Sequence, residues 1–114
     1  MKLSWTTDTH LNLIESDART LFYDSIIATD CDAVLLTGDI AESPSLIDVL
    51  IEMAHHIQKP IYFVLGNHDY YYSNVADIRA VMRELTKTEK NLFWLPASGV
   101  QVLNSDTVVL GQDG

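Results

Sequence analysis

The fold is decided by the stretch Ile61-Tyr62-Phe63-Val64-Leu65-Gly66-Asn67-His68-Asp69, in which a short apolar run gives way abruptly to polar residues. The run is β-branched and aromatic and follows a proline, which is typical of a buried strand. The glycine permits a sharp change of direction after the strand. We therefore expect the three polar side chains to lie on a loop at the carboxyl edge of a sheet, where open α/β folds bind ligands.

Two earlier segments repeat this arrangement of a strand followed by polar residues. Residues 2–6 are predicted to form a first strand, after which come Asp8 and His10. Residues 33–36 are predicted to form a second strand, which Thr37-Gly38-Asp39 closes. The chain thus contains three predicted strands that are each followed by polar side chains able to bind a ligand or to take part in catalysis.

Helices are predicted between these strands from the spacing of apolar residues. The first runs from about 17 to 28, the second begins at Glu42-Ser43-Pro44-Ser45, and the third begins near Ser73 and ends within 87–91. Their apolar positions recur at helical spacing and are expected to face the sheet: Ala18, Leu21, Phe22 and Ile26; Leu46, Val49, Leu50, Met53, Ala54 and Ile57; Val75, Ile78, Met82 and Leu85.

The rest of the chain is predicted to be β-structure. Residues 91–95 form a short fourth strand, and residues 99–103 and 107–110 form a hairpin that turns at Asn104-Ser105-Asp106. The order is therefore β-α-β-α-β-α followed by three shorter strands, an α/β fold. Right-handed crossovers make the first three strands parallel.

Length, charge and cysteine content limit the classes of function. With 114 residues the chain is expected to be one domain, and 47% hydrophobic and 20% charged residues are typical of a globular protein. Cys31 is the only cysteine, which excludes an intramolecular disulfide and a zinc site built from thiolates. A net charge of −9 opposes binding to nucleic acid or to anionic membranes and suits cations. Without a recognisable signal peptide or membrane segment, a cytoplasmic location is expected.

Parallel strands place their carboxyl ends at one edge, so Asp8, His10, Asp39 and Asn67 are expected to converge. The intervals from Asp8 to Asp39 and from Asp39 to Asn67 are each roughly 30 residues, the span of one βαβ unit. Carboxylate and amide oxygens suit Mn, Fe or Mg, and imidazole extends the choice to Fe and Zn. A carboxylate on the middle strand could bridge two ions, and two ions can hold a bridging hydroxide for phosphoryl displacement. Each motif alone is more often an ordinary turn, but three in succession favour a metal site.

The two residues that follow Asn67 suggest acid catalysis. His68 can act as a general acid toward the leaving oxygen of a phosphate ester, with Asp69 orienting and charging its ring.

The motifs Asp8-x-His10, Gly38-Asp39 and Gly66-Asn67-His68-Asp69 resemble the first three motifs of the calcineurin-like metallophosphoesterase family. The resemblance implies that Asp8 and His10 bind one metal ion, that Asp39 bridges two ions and that Asn67 binds the second. It implies two divalent or trivalent ions, with Mn, Fe or Zn expected, and a phosphate-ester substrate. It also implies that His68 faces the phosphate without binding metal, with Asp69 as its partner.

The chain departs from this family in its second half. The family has a later histidine and a Gly-His-x-His motif that complete both metal sites, whereas the histidines here are His10, His55, His56 and His68. The family fold is a four-layer α/β/β/α sandwich, so residues 1–114 are interpreted as a partial domain, its amino-terminal half. An exposed sheet face then predicts self-association.

Two functions remain open at this point. The first is a metal-dependent phosphoesterase that uses a metal-bridging hydroxide and His68. The alternative is a non-catalytic binding or scaffold module, or an inactive fragment with an incomplete metal site.

Three further features are not expected to belong to the site, or their role stays open. His55 and His56 lie near the end of the second helix, where imidazoles stabilise a helix terminus. Tyr70-Tyr71-Tyr72 could wall the cleft or simply pack. Arg79 and Arg83 are expected on a solvated face.

Overall fold

A four-stranded parallel sheet forms the centre of the protein. The computed structural model describes all 114 residues. The sheet contains β1 (Leu3–Thr6), β2 (Ala33–Thr37), β3 (Ile61–Val64) and β4 (Leu92–Trp94). The strands lie side by side in chain order, and each pairs in parallel with the next. The predicted α/β fold is confirmed, and β4 extends the predicted parallel set by one strand.

Helices connect consecutive strands. They are α1 (Ser16–Ala28), α2 (Ser43–Ile57), α3 (Val75–Thr88) and the short α4 (Leu95–Ser98). Asn74 caps α3 by accepting a hydrogen bond from the backbone N–H of Asp77 at 2.9 Å. Pro44 lies in the first turn of α2, where a missing N–H costs no helical hydrogen bond. Single-turn 3₁₀ helices follow two of the strands, at Leu11–Leu13 and His68–Tyr70.

The main core lies between one face of the sheet and helices α1 to α3. Strand order that follows chain order, with crossovers of one hand, brings successive helices to the same face. The strands contribute Val34, Leu36, Ile61, Phe63, Leu92 and Trp94 to this core. The helices contribute Tyr23, Ile26, Leu46, Val49, Leu50, Met53, Ala54, Ile57, Ile78, Met82 and Leu85. This layer fixes the sheet and, with it, the positions of the loops at the sheet's carboxyl edge.

The other face of the sheet is only partly covered. The strand register places Trp5, Leu35, Tyr62 and Phe93 in one row across this face. A hairpin of β5 (Gln101–Asn104) and β6 (Thr107–Val109) lies near it and packs Leu103 and Val109 against the smaller core cluster there. Trp5 stays 70% exposed. This is the sheet face through which self-association is predicted.

Three details of the predicted elements are wrong. Ala18 and Leu21 are exposed, because the buried side of α1 passes through Tyr23 and Ile26, and Leu21 lies on roughly the opposite side from Tyr23. Val75 is the first residue of α3 and is 57% exposed, one turn before the buried part of that helix. The fourth strand ends at Trp94 and α4 follows it, since Pro96 has no N–H to donate to a strand ladder.

No helix is both long enough and apolar enough to span a membrane.

Candidate metal centre

The loops that follow β1 and β2 stay paired beyond the ends of the two strands. Asp8 N donates to Gly38 O at 3.0 Å, and His10 N donates to Asp39 O at 3.0 Å. Leu11 N then donates to Ile40 O at 2.8 Å. These backbone hydrogen bonds continue the pairing of β1 with β2 and hold the polar residues of the two loops side by side.

The backbone of these loops is left-handed where the polar residues lie. Asp8, His10 and Asp39 have φ angles of 53°, 44° and 49°. Such a conformation costs roughly 1–2 kcal/mol for each residue with a Cβ, and strain of this kind clusters at functional sites. The left-handed backbone therefore lowers local stability, and it fixes the orientation of these three side chains.

Two glycines let the loops after β2 and β3 touch. A Cβ on Gly38 would lie 2.9 Å from the backbone N of Gly66, closer than atoms tolerate. A Cβ on Gly66 would collide with the carboxylate of Asp39. Both glycines predicted to end strands are thus needed for close approach, and they place the Asn67-His68-Asp69 loop against Asp39.

The structure brings three of the predicted metal ligands together. The ligand atoms of Asp8, His10 and Asp39 all lie within 4.8 Å of one another. The ring nitrogens of His10 and one oxygen of Asp39 have no hydrogen bond within the chain, whereas Asp39 Oδ1 accepts one from His68 N at 3.0 Å. Two carboxylates and a free imidazole are a donor set that suits a divalent transition metal, so the residues fit the expected ion.

The loop after β3 brings Asn67 and His68 to the same edge. The ring of His68 meets the ring of His10 edge to face, with the centroids 5.0 Å apart. Asn67 is exposed, and its Nδ2 donates to the hydroxyl of Tyr71 at 3.1 Å. The imidazole of His68 makes no hydrogen bond within the chain, which leaves both of its ring nitrogens available to a ligand.

Asp69 does not pair with the ring of His68 as predicted. Its side chain is fully buried, and Oδ1 accepts hydrogen bonds from Ile40 N at 2.8 Å and Ala41 N at 3.0 Å. Oδ2 accepts one from Gly66 N at 2.8 Å. Burial raises the pKa of this carboxyl, and the three backbone N–H groups oppose that rise. Asp69 therefore ties the loop after β2 to the loop after β3, because backbone donors occupy both of its oxygens.

Two supporting residues escaped the sequence analysis. The hydroxyl of Thr7 lies 2.8 Å from Asp8 Oδ2 and 2.9 Å from Thr37 O, so it links the side chain of Asp8 to the end of β2. Its position beside Asp8 is the signal that could have indicated it. Asp113 Oδ1 accepts hydrogen bonds from Leu65 N at 2.8 Å and Trp94 Nε1 at 3.2 Å. No local sequence pattern indicates this contact, because Leu65 and Asp113 are far apart in the chain.

Tyr70 extends the support around Asp113. Its hydroxyl donates to Asp113 Oδ2 at 2.6 Å, and burial together with that carboxylate raises the pKa of Tyr70 to about 12. Arg79 is half-buried over the ring of Trp94, 4.8 Å from its centroid, and reaches Asp113 Oδ2 at 3.4 Å. The predicted solvated face is therefore wrong for Arg79.

The remaining histidines lie outside the converging group. His55 Nε2 lies 3.0 Å from Glu89 Oε2, and His56 Nε2 lies 2.8 Å from Asp24 Oδ1. Both residues are in the last turn of α2, as expected.

Comparison with known proteins agrees with the geometry of the edge. No curated protein and no solved structure significantly matches the chain. The sequence profile of the calcineurin-like phosphoesterase family matches residues 1–114. That match covers every element described above, including the three loops that carry Asp8, Asp39 and Asn67. The chain belongs to the calcineurin-like phosphoesterase family.

Proposed function

We propose that the protein is a metal-dependent phosphoesterase that hydrolyses phosphate monoesters or diesters. The observation that carries the proposal is the convergence of Asp8, His10 and Asp39, whose ligand atoms lie within 4.8 Å of one another at the carboxyl edge of the sheet. Membership of the phosphoesterase family supports the same chemistry. The converging residues leave lone pairs unpaired, which is the condition for binding a cation rather than for stabilising the fold.

Each ligand has a proposed place. Asp8 and His10 would hold one ion, Asp39 would be shared between two ions, and Asn67 would serve the second. Bound Mn, Fe or Zn ions would activate water and offset the charge of the phosphate. The left-handed backbone at Asp8, His10 and Asp39 supports this assignment, because it holds their side chains in place before any ion binds.

His68 is proposed as the proton donor to the leaving oxygen. Its backbone N–H is anchored on Asp39 Oδ1 at 3.0 Å, and its ring lies against that of His10. The ring is thus held beside the proposed ligands while its nitrogens keep no partner within the chain. A general acid must come within hydrogen-bond reach of the reacting oxygen, and a free ring nitrogen of His68 can make that contact.

A metal-binding module without hydrolysis is the second candidate. It is favoured by the small size of the converging group, since three protein ligands leave an ion with an open side and weak affinity. Titration calorimetry with Mn²⁺, followed by an assay of the same sample, separates the two candidates. Binding without turnover would select the module.

The hydrolytic proposal is tested with p-nitrophenyl phosphate and bis-p-nitrophenyl phosphate in the presence of Mn²⁺. We expect hydrolysis that a chelator abolishes and that Asp39→Asn reduces by at least about 100-fold. The matched control is Asp106→Asn, which removes the same charge from an exposed residue of the hairpin turn. Hydrolysis that is indifferent to the chelator, or equal in the two variants, would overturn the proposal.

A further inference from the structure

Tyr71 contacts both side chains that the proposed reaction needs from the loop after β3. Its ring lies 4.4 Å from the ring of His68, centroid to centroid, with the two planes tilted by 42°. Its hydroxyl accepts the hydrogen bond from Asn67 Nδ2 at 3.1 Å. A single residue therefore bears on the proposed ligand and on the proposed acid.

The backbone holds Tyr71 in place from two sides. Its N–H donates to His68 O at 3.1 Å, and its carbonyl accepts a hydrogen bond from Ser43 N at 3.2 Å, at the start of α2. Tyr71 is half-exposed, whereas its neighbour Tyr72 is 82% exposed and makes no side-chain hydrogen bond. The contacts of Tyr71 are thus specific to that position and not a general property of the tyrosine run.

These contacts constrain two side chains in different ways. The nitrogen and oxygen of the Asn67 amide lie at opposite corners of one planar group, so a partner on Nδ2 directs Oδ1 away as a free acceptor. The ring of His68 has the ring of Tyr71 and the ring of His10 as neighbours, which limits its rotation. Groups around a metal site commonly orient ligands by such contacts.

We propose that Tyr71 is a positioning residue: its hydroxyl orients the Asn67 amide oxygen toward metal, and its ring holds the His68 imidazole. The inference rests on the proposed function, which assigns Asn67 as a ligand and His68 as the acid. The two contributions come from different atoms of Tyr71, so different substitutions separate them.

The first measurement uses the metal-free protein. Nuclear magnetic resonance follows the side-chain amide of Asn67 and the imidazole protons of His68 in the wild type, Tyr71→Phe, Tyr71→Leu and the control Tyr72→Phe. We expect Tyr71→Phe to shift the Asn67 amide and to leave His68 near its wild-type position, because the ring is kept. Tyr71→Leu shifts both, and Tyr72→Phe shifts neither.

The second measurement titrates Mn²⁺ alone by calorimetry. We expect Tyr71→Phe to weaken Mn²⁺ affinity about tenfold and Tyr72→Phe to leave it unchanged. In the hydrolysis assay at saturating Mn²⁺, Tyr71→Leu lowers kcat more than Tyr71→Phe does, since only the leucine variant frees the His68 ring. A purely structural role would not separate the two variants in this way.

Two results would overturn the inference. One is an unshifted Asn67 amide in Tyr71→Phe, and the other is equal Mn²⁺ affinity in Tyr71→Phe and the wild type. Because the resonance measurement needs neither metal nor substrate, it decides the contacts of Tyr71 even if the protein hydrolyses no ester. Failure of the proposed function is therefore recognised separately, by the chelator and Asp39→Asn tests.

Discussion

The polar cluster between α1 and α2 and the polar cluster at the carboxyl edge of the sheet differ in how their polar atoms are paired. Between the helices, Arg19 donates to both oxygens of Glu52 at 2.8 and 3.1 Å, and Tyr23 donates to the same carboxylate at 2.9 Å. At the edge, the ring nitrogens of His10 and one oxygen of Asp39 have no hydrogen-bond partner within the chain. The first cluster is closed and the second is open.

The difference separates polar groups that stabilise a fold from polar groups that remain available to a ligand. A closed cluster recovers the cost of desolvating its members through their mutual hydrogen bonds. An open cluster on a left-handed backbone lowers stability and leaves its lone pairs available to a cation. Asp69 is the exception at the edge, because it is buried there and fully paired. Substitutions in the closed cluster, and at Asp69, should therefore affect stability. Substitutions of the unpaired residues at the edge should affect metal binding.

The largest effect is expected for Asp69→Ala. The substitution leaves the buried N–H groups of Ile40 and Ala41 and the partly buried N–H of Gly66 without acceptors, and we expect a loss of about 3 kcal/mol in the free energy of unfolding. Urea unfolding measures it. Asp69→Asn, which keeps one acceptor oxygen, should lose clearly less. An alanine variant as stable as the wild type would show that Asp69 does not tie the two loops together.

Asp8→Asn should show the opposite behaviour, with a change in binding and little change in stability. We expect Mn²⁺ affinity to fall about 100-fold, which corresponds to about 2.7 kcal/mol, because the amide replaces an ionised ligand. The free energy of unfolding should change by less than about 0.5 kcal/mol. Calorimetry and urea unfolding of the same preparation give both numbers. Destabilisation without loss of Mn²⁺ affinity would show that Asp8 stabilises the fold and does not bind the ion.

Glu52→Gln is the matched loss of one charge in the closed cluster. We expect it to destabilise the protein by about 1 kcal/mol, since the pair is partly exposed and screened by solvent, and to leave Mn²⁺ affinity unchanged. A weakened affinity would show that the two clusters are coupled.

The same variant should change the dependence of stability on pH. The hydrogen bond from Arg19 lowers the pKa of Glu52 below its ordinary value of 4.5, although partial burial opposes the shift. The stability that this carboxylate contributes is therefore present above about pH 4.5 and lost as pH falls through its lowered pKa. Urea unfolding across that range should show a steeper acid loss in the wild type than in Glu52→Gln. Parallel curves would contradict the role of the pair.

Much of the fold could be predicted because it depends on local patterns. The apolar runs before Gly38 and Gly66 indicated strands, and the apolar stripe of α2 proved buried throughout. Prediction failed where neighbours decided the outcome. Leu21 has the spacing of a buried residue, yet the packing of α1 on α2 turned Tyr23 inward instead.

The candidate site divides in the same way. Asp8, His10 and Asp39 were predicted to converge because the carboxyl ends of parallel strands share an edge, and they do. Asp69 was predicted to pair with its neighbour His68, but backbone N–H groups occupy both of its oxygens, those of Ile40 and Ala41 in another loop and that of Gly66 in its own. Asp113 was not predicted at all, since its partner Leu65 is distant in the chain.

The sequence by itself determined which residues follow each buried strand and thus which side chains gather at one edge of the sheet. Hydrophobic periodicity and strand order are properties of short segments, so they can be recognised without a structure. Only the tertiary structure decided which of those polar groups are paired and which stay open. Pairing depends on donors brought together from separate loops, and at Asp69 these donors turned an expected catalytic partner into a clamp between two loops.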